Sequence, residues 1–277
     1  MSGAMVPGVP GEGSERESGA DALDAASPAP HGGGVLIPKY TSLRIPAGGL
    51  RIRVTEDGQV EMDPVTIEVA LDTWPHWISI SLGHLREARA AHADLLSAHA
   101  SGDEEARHEA LEREFRASMQ SITAAAFAVD ALYGSVTDVA PLAPTAPRPG
   151  SRAAAVMSAI QRVAKVSNGH ATVLSHGLKQ LFTFRNWAVH PPRDFRAPLL
   201  HPDLHVGVDW RFVTFNSENA RNALGIALEA VVRATENARG DATILEWSKG
   251  QAEILRQMID DHGLAVTDSD DAQTTET

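Results

Sequence analysis

The twenty residues Phe115-Arg-Ala-Ser-Met-Gln-Ser-Ile-Thr-Ala-Ala-Ala-Phe-Ala-Val-Asp-Ala-Leu-Tyr-Gly134 decide the fold class. Apolar side chains recur in them in alternating steps of four and three, the pattern of a helix with one buried face. This apolar stripe comprises Phe115, Met119, Ile122, Ala126, Val129 and Tyr133. We therefore predict a long helix within a bundle, beginning at Ser101-Gly-Asp-Glu104, whose spacing is that of a capping box.

Helical periodicity continues on both sides of this stretch. Further helices are predicted over residues 75–98, 152–167, 172–189, 217–237 and 243–261. Asn168-Gly169 is expected to end the helix before it, because both residues favour helix C-termini. Between the fourth and fifth helices the apolar residues alternate, which predicts a short extended segment. Its members are Val206, Val208, Trp210, Phe212 and Phe215.

The pattern near the N-terminus has a period of two, which is typical of β-strands. The runs 50–54 and 65–69 both alternate, and Glu56-Asp-Gly-Gln59 between them has the composition of a hairpin turn. The predicted fold is therefore mainly α. An up-and-down helical bundle over 74–262 follows a small antiparallel β element over 34–73. Disordered tails are predicted for the two ends, 1–33 and the acidic 263–277.

Composition narrows the class of protein. The hydrophobic content of 43% and charged content of 22% are ordinary for a soluble globular chain. Cysteine is absent, which excludes disulfides, thiolate metal sites and a cysteine nucleophile. The first residues have acids before any basic run and no apolar core, so we expect no secretion signal in them, and the most apolar stretch, Ile122–Tyr133, is short and interrupted by Asp130. We expect a cytoplasmic protein without a membrane segment.

The charge of −12 is unevenly distributed. Residues 141–200 contain eight basic side chains and one acid, a balance of +7, so the remainder carries −19. A basic region of this kind suggests contact with nucleic acid, although an uneven, merely solvated surface would look the same. The candidate RNA-binding side chains here are Arg162, Lys165, Lys179, Arg193 and Arg196.

An arginine interrupts the apolar stripe of the fourth helix. Leu174, Leu178 and Leu181 step by four and three, and the next position in that series is Arg185. A charge on an inward stripe costs several kcal/mol, an order-of-magnitude figure, unless it is paired or reached by water. Asp130, an acid inside another apolar helix, is the candidate partner. The pair could serve catalysis, or it could simply fix the helix register.

Asn186 and His190 follow Arg185 closely. On an ideal helix His190 points roughly 140° away from Arg185, and Pro191 disfavours the helical conformation for His190. The two side chains could instead meet across a twofold axis between two copies. Metal-free RNA cleavage needs such groups: an imidazole to move protons, a guanidinium to bind phosphate oxygens and an amide to orient either one.

Arg185-Asn-Trp-Ala-Val-His190 resembles the motif of the HEPN superfamily of helical, dimeric ribonucleases, which act in toxin–antitoxin and related defence systems. The resemblance covers residues 112–261, and Asp130 stands where relatives often have glutamate. It implies a homodimer that cuts RNA without metal or cofactor, leaving a cyclic phosphate. Arg185 would stabilise the phosphate, His190 would act as acid–base and Asn186 would hold the geometry. An antitoxin or regulatory partner is a further implication.

Other interpretations remain open. Pro192 stands where relatives that are silenced by nucleotidylation have tyrosine, which argues against that form of control. The bundle could be a non-catalytic dimeric binding or sensor module, or an unrelated helical scaffold. His201, His205 and Asp209 could suggest metal ligands, but their spacing fixes no third ligand. His84, His92 and His99 have spacings that do not suit a metal and are expected to be inert, and Phe184 and Trp187 are expected to lie in the core or at a dimer interface.

Overall fold

The computed structural model describes residues 37–142, 150–190 and 196–263, of which 67% are helical, so the predicted mainly α class is confirmed. The helices in these ranges are α1 Trp74–Ser101, α2 Glu104–Val139, α3 Arg152–Val163, α4 Asn168–Val189, α5 Trp210–Thr214, α6 Ser217–Thr235 and α7 Ala242–His262. The strands are β1 Thr41–Arg44, β2 Ile52–Val54, β3 Val60–Met62, β4 Glu68–Leu71, β5 Leu199–Leu200 and β6 Gly207–Val208. The predicted tails lie outside the described residues, apart from Gly263.

Helix α2 is the centre of the bundle and packs against α1, α3, α4 and α6. Its run of buried alanines, residues 124–126 and Ala128, allows neighbouring helices to approach on several sides. Of the predicted stripe, Ile122 and Val129 are fully buried and the aromatic members pack against the core from its margin. By length and composition alone α2 could cross a membrane, but the buried core helices of soluble proteins meet the same criteria.

The predicted capping box at the start of α2 is wrong by two residues. The Ser101 hydroxyl donates to the carbonyl of Ala98 in the last turn of α1, and Gly102 ends that helix with a φ of 73°. Asp103 caps α2 by accepting a hydrogen bond from the amide of Ala106 at 3.0 Å. Because Gly102 takes the left-handed conformation, one helix can end and the next begin with almost no loop.

The predicted boundary between α3 and α4 is also wrong. Asn168 begins α4 rather than ending α3, since Ser167 accepts a hydrogen bond from the amide of His170 and acts as the cap. Helix α3 ends at Val163 because Ala164 is extended and forms a β-bridge to Ala238.

The extended segment predicted after α4 is only partly present. Val208 is the one predicted member that lies in a strand, where it pairs with Leu199. Residues 210–214 form the short helix α5 instead, capped by Asp209, whose carboxylate accepts from the amide of Arg211 at 2.9 Å. Apolar residues that alternate along the sequence can therefore also lie in a short helix, when packing against the rest of the protein favours the helical conformation over a strand.

The β element consists of two antiparallel ribbons. Strand β2 pairs with β3 around the predicted turn, in which the amide of Thr55 donates to the carbonyl of Gln59 at 2.8 Å. The predicted partner run 65–69 instead leads into β4, which pairs with β1. Beyond the end of the β2–β3 ladder, the amide of Asp63 donates to the carbonyl of Arg51 and the amide of Thr66 donates to the carbonyl of Gly49. The two chain segments therefore stay paired in the stretch that leads from one ribbon to the other.

A buried polar network fixes the start of α1 against α2 and α7. The Trp74 indole donates to Gln251 Oε1 at 2.6 Å, and Gln251 Nε2 donates to Asp72 at 2.9 Å. Ser135 donates to the other oxygen of Asp72 at 3.0 Å and accepts from the Trp247 indole at 2.8 Å. The network joins three helices just where the β element meets the bundle, and it satisfies polar groups that would otherwise be costly to bury.

Candidate functional site

Asp130 of α2 binds two arginines from two other helices. Its Oδ2 accepts from Arg185 Nη2 of α4 at 3.3 Å, and its Oδ1 accepts from Arg152 Nε of α3 at 2.5 Å. The contact expected between Asp130 and Arg185 is therefore present. All three side chains are partly buried, between 25% and 38% exposed, so the pairs are shielded from water but still accessible.

The two guanidinium groups keep hydrogen-bond donors to spare. Arg185 Nη1 donates to Asn186 Oδ1 at 3.2 Å, while its buried Nε has no partner among the described residues. The guanidinium carbon of Arg152 lies 4.0 Å from the centre of the Tyr133 ring, and its hydrogen bond within the described residues uses Nε alone. Two positive groups face one carboxylate, so the cluster has a charge of +1 and free N–H groups suited to an anion.

His190 stands at the end of α4, outside this cluster. Its backbone amide donates to the carbonyl of Asn186 at 2.7 Å, and its φ of −130° and ψ of 67° leave the helical region. The side chain is exposed and makes no hydrogen bond to Arg185 or Asn186 among the described residues. The hydrogen bonds of the described residues therefore do not bring the arginine and the histidine together.

The predicted RNA-binding side chains differ in their surroundings. Lys165, Lys179 and Arg196 are exposed, and the guanidinium of Arg196 lies 4.9 Å from the centre of the Trp210 ring. Arg162 points inward: its Nε donates to the carbonyl of Ala140 at 2.9 Å, at the C-terminus of α2. Its observed contact is therefore that of a helix cap. Arg193 lies outside the described residues.

The aromatic residues beside the motif pack together. Trp187 lies edge-on to Trp210 at 5.3 Å between ring centres and 5.7 Å from Phe184. Both Trp187 and Phe184 are half-buried against the main core. This contact joins the end of α4 to α5, and within one chain the rings pack at the edge of the core, the first of the two places expected for them.

A second polar cluster was not predicted. Glu114 of α2 is only 2% exposed; it accepts from the backbone amide of Ser217 at 2.8 Å and contacts His92 Nδ1 at 3.1 Å. His201 is also 2% exposed, and Glu114, His92 and His201 line one cavity of about 520 Å³. Burial lowers the pKa of His201. Within the described ranges no group of three or more metal-binding side chains is placed to hold an ion.

Neither Arg152 nor Glu114 shows a local motif in the sequence. For Glu114 one signal exists: it lies between Ala110 and Ala117 in a second buried row of small residues on α2, in which an acid is out of place. Arg152 gives no such signal, because its contact with Asp130 depends on how α3 packs against α2.

Comparison with family models, with curated proteins and with solved structures gives no match to this chain. A function must therefore be argued from the site itself.

Proposed function

We propose that this protein is a metal-independent endoribonuclease of the HEPN type, cytoplasmic and homodimeric, that cuts RNA in a defence or toxin–antitoxin setting. The observation that supports the proposal best is the set of hydrogen bonds that the motif arginine makes. Arg185 is held by Asp130 at 3.3 Å and by Asn186 at 3.2 Å, yet it keeps unused donors in a partly exposed cluster of charge +1. That is the arrangement needed to bind a phosphate without metal.

The reaction follows from the groups present. The ribose 2′-oxygen attacks the adjacent phosphorus, the bond from phosphorus to the 5′-oxygen breaks, and the negative charge that grows on the phosphate oxygens is stabilised by Arg185. The 2′-hydroxyl loses a proton and the leaving 5′-oxygen gains one; the imidazole of His190 performs one of these two transfers and water performs the other. The products are a 2′,3′-cyclic phosphate and a 5′-hydroxyl.

Asn186 and Asp130 have positioning roles in this proposal. The amide oxygen of Asn186 fixes one nitrogen of Arg185, and Asp130 fixes another. Arg152 is a second cationic contact for RNA beside Arg185, since it is held by the same carboxylate. In this proposal the homodimer brings His190 of one copy to Arg185 of the other, since the two side chains point roughly 140° apart on an ideal helix and share no hydrogen bond within the described residues of one chain.

A non-catalytic dimeric binding or sensor module is the second candidate function. The observation that favours it is that Asp130 binds both Arg185 and Arg152, and so links α2, α3 and α4, without any contribution from His190. An antitoxin or another regulatory protein would be the partner of such a module.

The test is incubation of purified protein with structured RNAs in EDTA, followed by analysis of the product ends. We expect cleavage with 2′,3′-cyclic phosphate ends by the native protein, and none by His190→Ala. His176→Ala is the matched control, since His176 is also exposed on α4, and it should cleave normally. If no RNA is cut while all three proteins are equally folded, the binding module becomes the better proposal.

A further inference from the structure

The β2–β3 hairpin exposes its apolar side to solvent. Ile52 lies opposite Met62 and Val54 opposite Val60, so these four side chains share one face of the ribbon. They are between 59% and 71% exposed. In a single chain an antiparallel sheet normally turns its apolar face toward the core and its polar face toward water. In the β2–β3 hairpin both faces are exposed, so its apolar face has no core to cover it.

The other ribbon adds to this surface. Leu43 lies opposite Val69, and with Leu71 these residues are about half exposed. Between residues 43 and 71 eleven large apolar side chains are exposed: Leu43, Ile45, Leu50, Ile52, Val54, Val60, Met62, Val65, Ile67, Val69 and Leu71. We call this set the apolar ribbon surface. Contiguous apolar surface on this scale marks an interaction site in a soluble protein.

The charges around the apolar ribbon surface indicate what kind of partner fits. Arg44 pairs with Glu68 across the strands, and Arg53 pairs with Asp63 at 3.3 Å. Residues 43–71 carry five acids and three arginines in all, a balance of −2, so the surface offers no excess of positive charge to attract a nucleic acid. A second copy of the same surface can approach it without strong repulsion.

The size of the surface fits a dimer interface. A fully buried aliphatic side chain contributes about 1.5–3 kcal/mol at about 25 cal/mol per Å², which corresponds to roughly 60–120 Å². Eleven side chains exposed to about half that extent supply roughly 500 Å² of apolar area. A standard interface buries about 800 Å² per partner, of which a little over half is apolar. The surface therefore supplies the apolar share of one such interface.

Backbone edges allow the same association. In the described residues each ribbon has two strands, so every strand from β1 to β4 has one open edge. Two-stranded ribbons are only marginally stable by themselves, and open edges accept a further strand. Around a twofold axis a strand meets its own copy in the antiparallel direction, which is compatible with strand pairing.

We propose that the apolar ribbon surface is a self-association site, at which two copies of this chain pack their β2–β3 hairpins around a twofold axis. The inference does not rest on the proposed nuclease activity, and it concerns a part of the chain that the HEPN resemblance does not cover.

The experiment compares the mass in solution of the full chain and of variants, over a range of concentrations, by sedimentation and light scattering. We expect the native mass to be at least twice 29.5 kDa and to fall by half in Val54→Glu. Val173→Glu is the matched control: Val173 of α4 is also 71% exposed, and its variant should keep the native mass. Val60→Glu, on the opposite strand, should repeat the effect of Val54→Glu.

Helical circular dichroism and the thermal midpoint show whether each variant is folded. We expect both to be nearly native, because Val54 and Val60 contribute little to the core of one chain. A native mass of 29.5 kDa at all concentrations overturns the proposal. So does a pattern in which Ile80→Glu, in the apolar groove of α1, α2 and the end of α4, lowers the mass while Val54→Glu does not.

Discussion

Asp130 and Arg185 lie 55 positions apart in the chain, and their side chains meet at 3.3 Å between Oδ2 and Nη2. Each interrupts an otherwise apolar helix face, and each is about one quarter exposed. Since Arg152 binds the other oxygen of the same carboxylate, Asp130 controls the position of both cationic groups. This gives the carboxylate a role that can be separated from phosphate binding.

Replacing Asp130 with Asn should lower the rate of RNA cleavage without lowering RNA affinity. The variant keeps the shape of the side chain but removes the charge that holds Arg185, so we expect kcat for RNA cleavage to fall roughly ten- to a hundredfold through misplacement of the guanidinium. RNA affinity should stay the same or rise, because the cluster becomes more positive. Single-turnover cleavage and fluorescence anisotropy measure the two quantities.

Asp138→Asn is the control for this prediction, since Asp138 is an exposed acid on the same helix. It should leave kcat unchanged. A parallel loss of RNA affinity and cleavage in Asp130→Asn would show instead that the carboxylate mainly supports the fold of the site.

Arg152 should bind an RNA phosphate as well as linking α3 to α2 through Asp130. In a His190→Ala background, which prevents cleavage, we expect Arg152→Gln to weaken binding of single-stranded RNA about equally for all sequences. The slope of log affinity against log salt should decrease by about one, as for the loss of one phosphate contact.

The matched control is Arg116→Gln. Arg116 lies on α2, is 63% exposed and is paired with Glu112 of the same helix. Its variant should change neither affinity nor slope. If Arg152→Gln behaves in the same way while Arg185→Gln weakens binding, Arg152 has only a structural role.

The sequence was sufficient for the contact between Asp130 and Arg185, because both are charges on apolar stripes and each needs a partner. It was also sufficient for the mainly α class, since the 4-and-3 spacing of α2 is sustained over five turns. It could not reveal Arg152 or the pair of Glu114 with His92. Those contacts depend on which helices become neighbours, which periodicity does not encode.

Errors at element boundaries have local causes. Asn168-Gly169 has the composition of a helix end, but the competing cap at Ser167 makes it a helix start. The runs 50–54 and 65–69 alternate equally well, so the pattern could not say that β2 pairs with the shorter segment after the turn. In both cases two local signals were compatible with the sequence, and tertiary packing selected one.

His201 should make stability depend on pH. Burial lowers its pKa below the ordinary value of 6.5, against the opposing effect of Asp203 and Glu114. Below pH 6.5 the unfolded chain therefore takes up a proton that the folded chain excludes. The free energy of unfolding should fall with decreasing pH from about 6.5 toward the lowered pKa of the folded state, by at most about 1.4 kcal/mol per pH unit.

Urea denaturation at several pH values measures this dependence. In His201→Gln the titrating group is gone, so the fall below pH 6.5 should become shallower even if the variant is less stable at every pH. His176→Ala removes an exposed histidine and should keep the native slope. An unchanged slope in His201→Gln would contradict the prediction.

Gln251 should matter far more for stability than its surface neighbour on α7. It is 3% exposed, accepts from the Trp74 indole and donates to Asp72. Gln251→Ala therefore leaves the buried indole without a partner and removes one of the two side-chain hydrogen bonds of the partly buried Asp72. At about 1–3 kcal/mol for the unsatisfied indole, with a smaller loss at Asp72, we expect the free energy of unfolding to fall by roughly 2–4 kcal/mol. Gln257→Ala, on the exposed side of the same helix, should change it by less than about 0.5 kcal/mol. Equal urea midpoints for the two variants would mean that the network does not hold α7 against the start of α1.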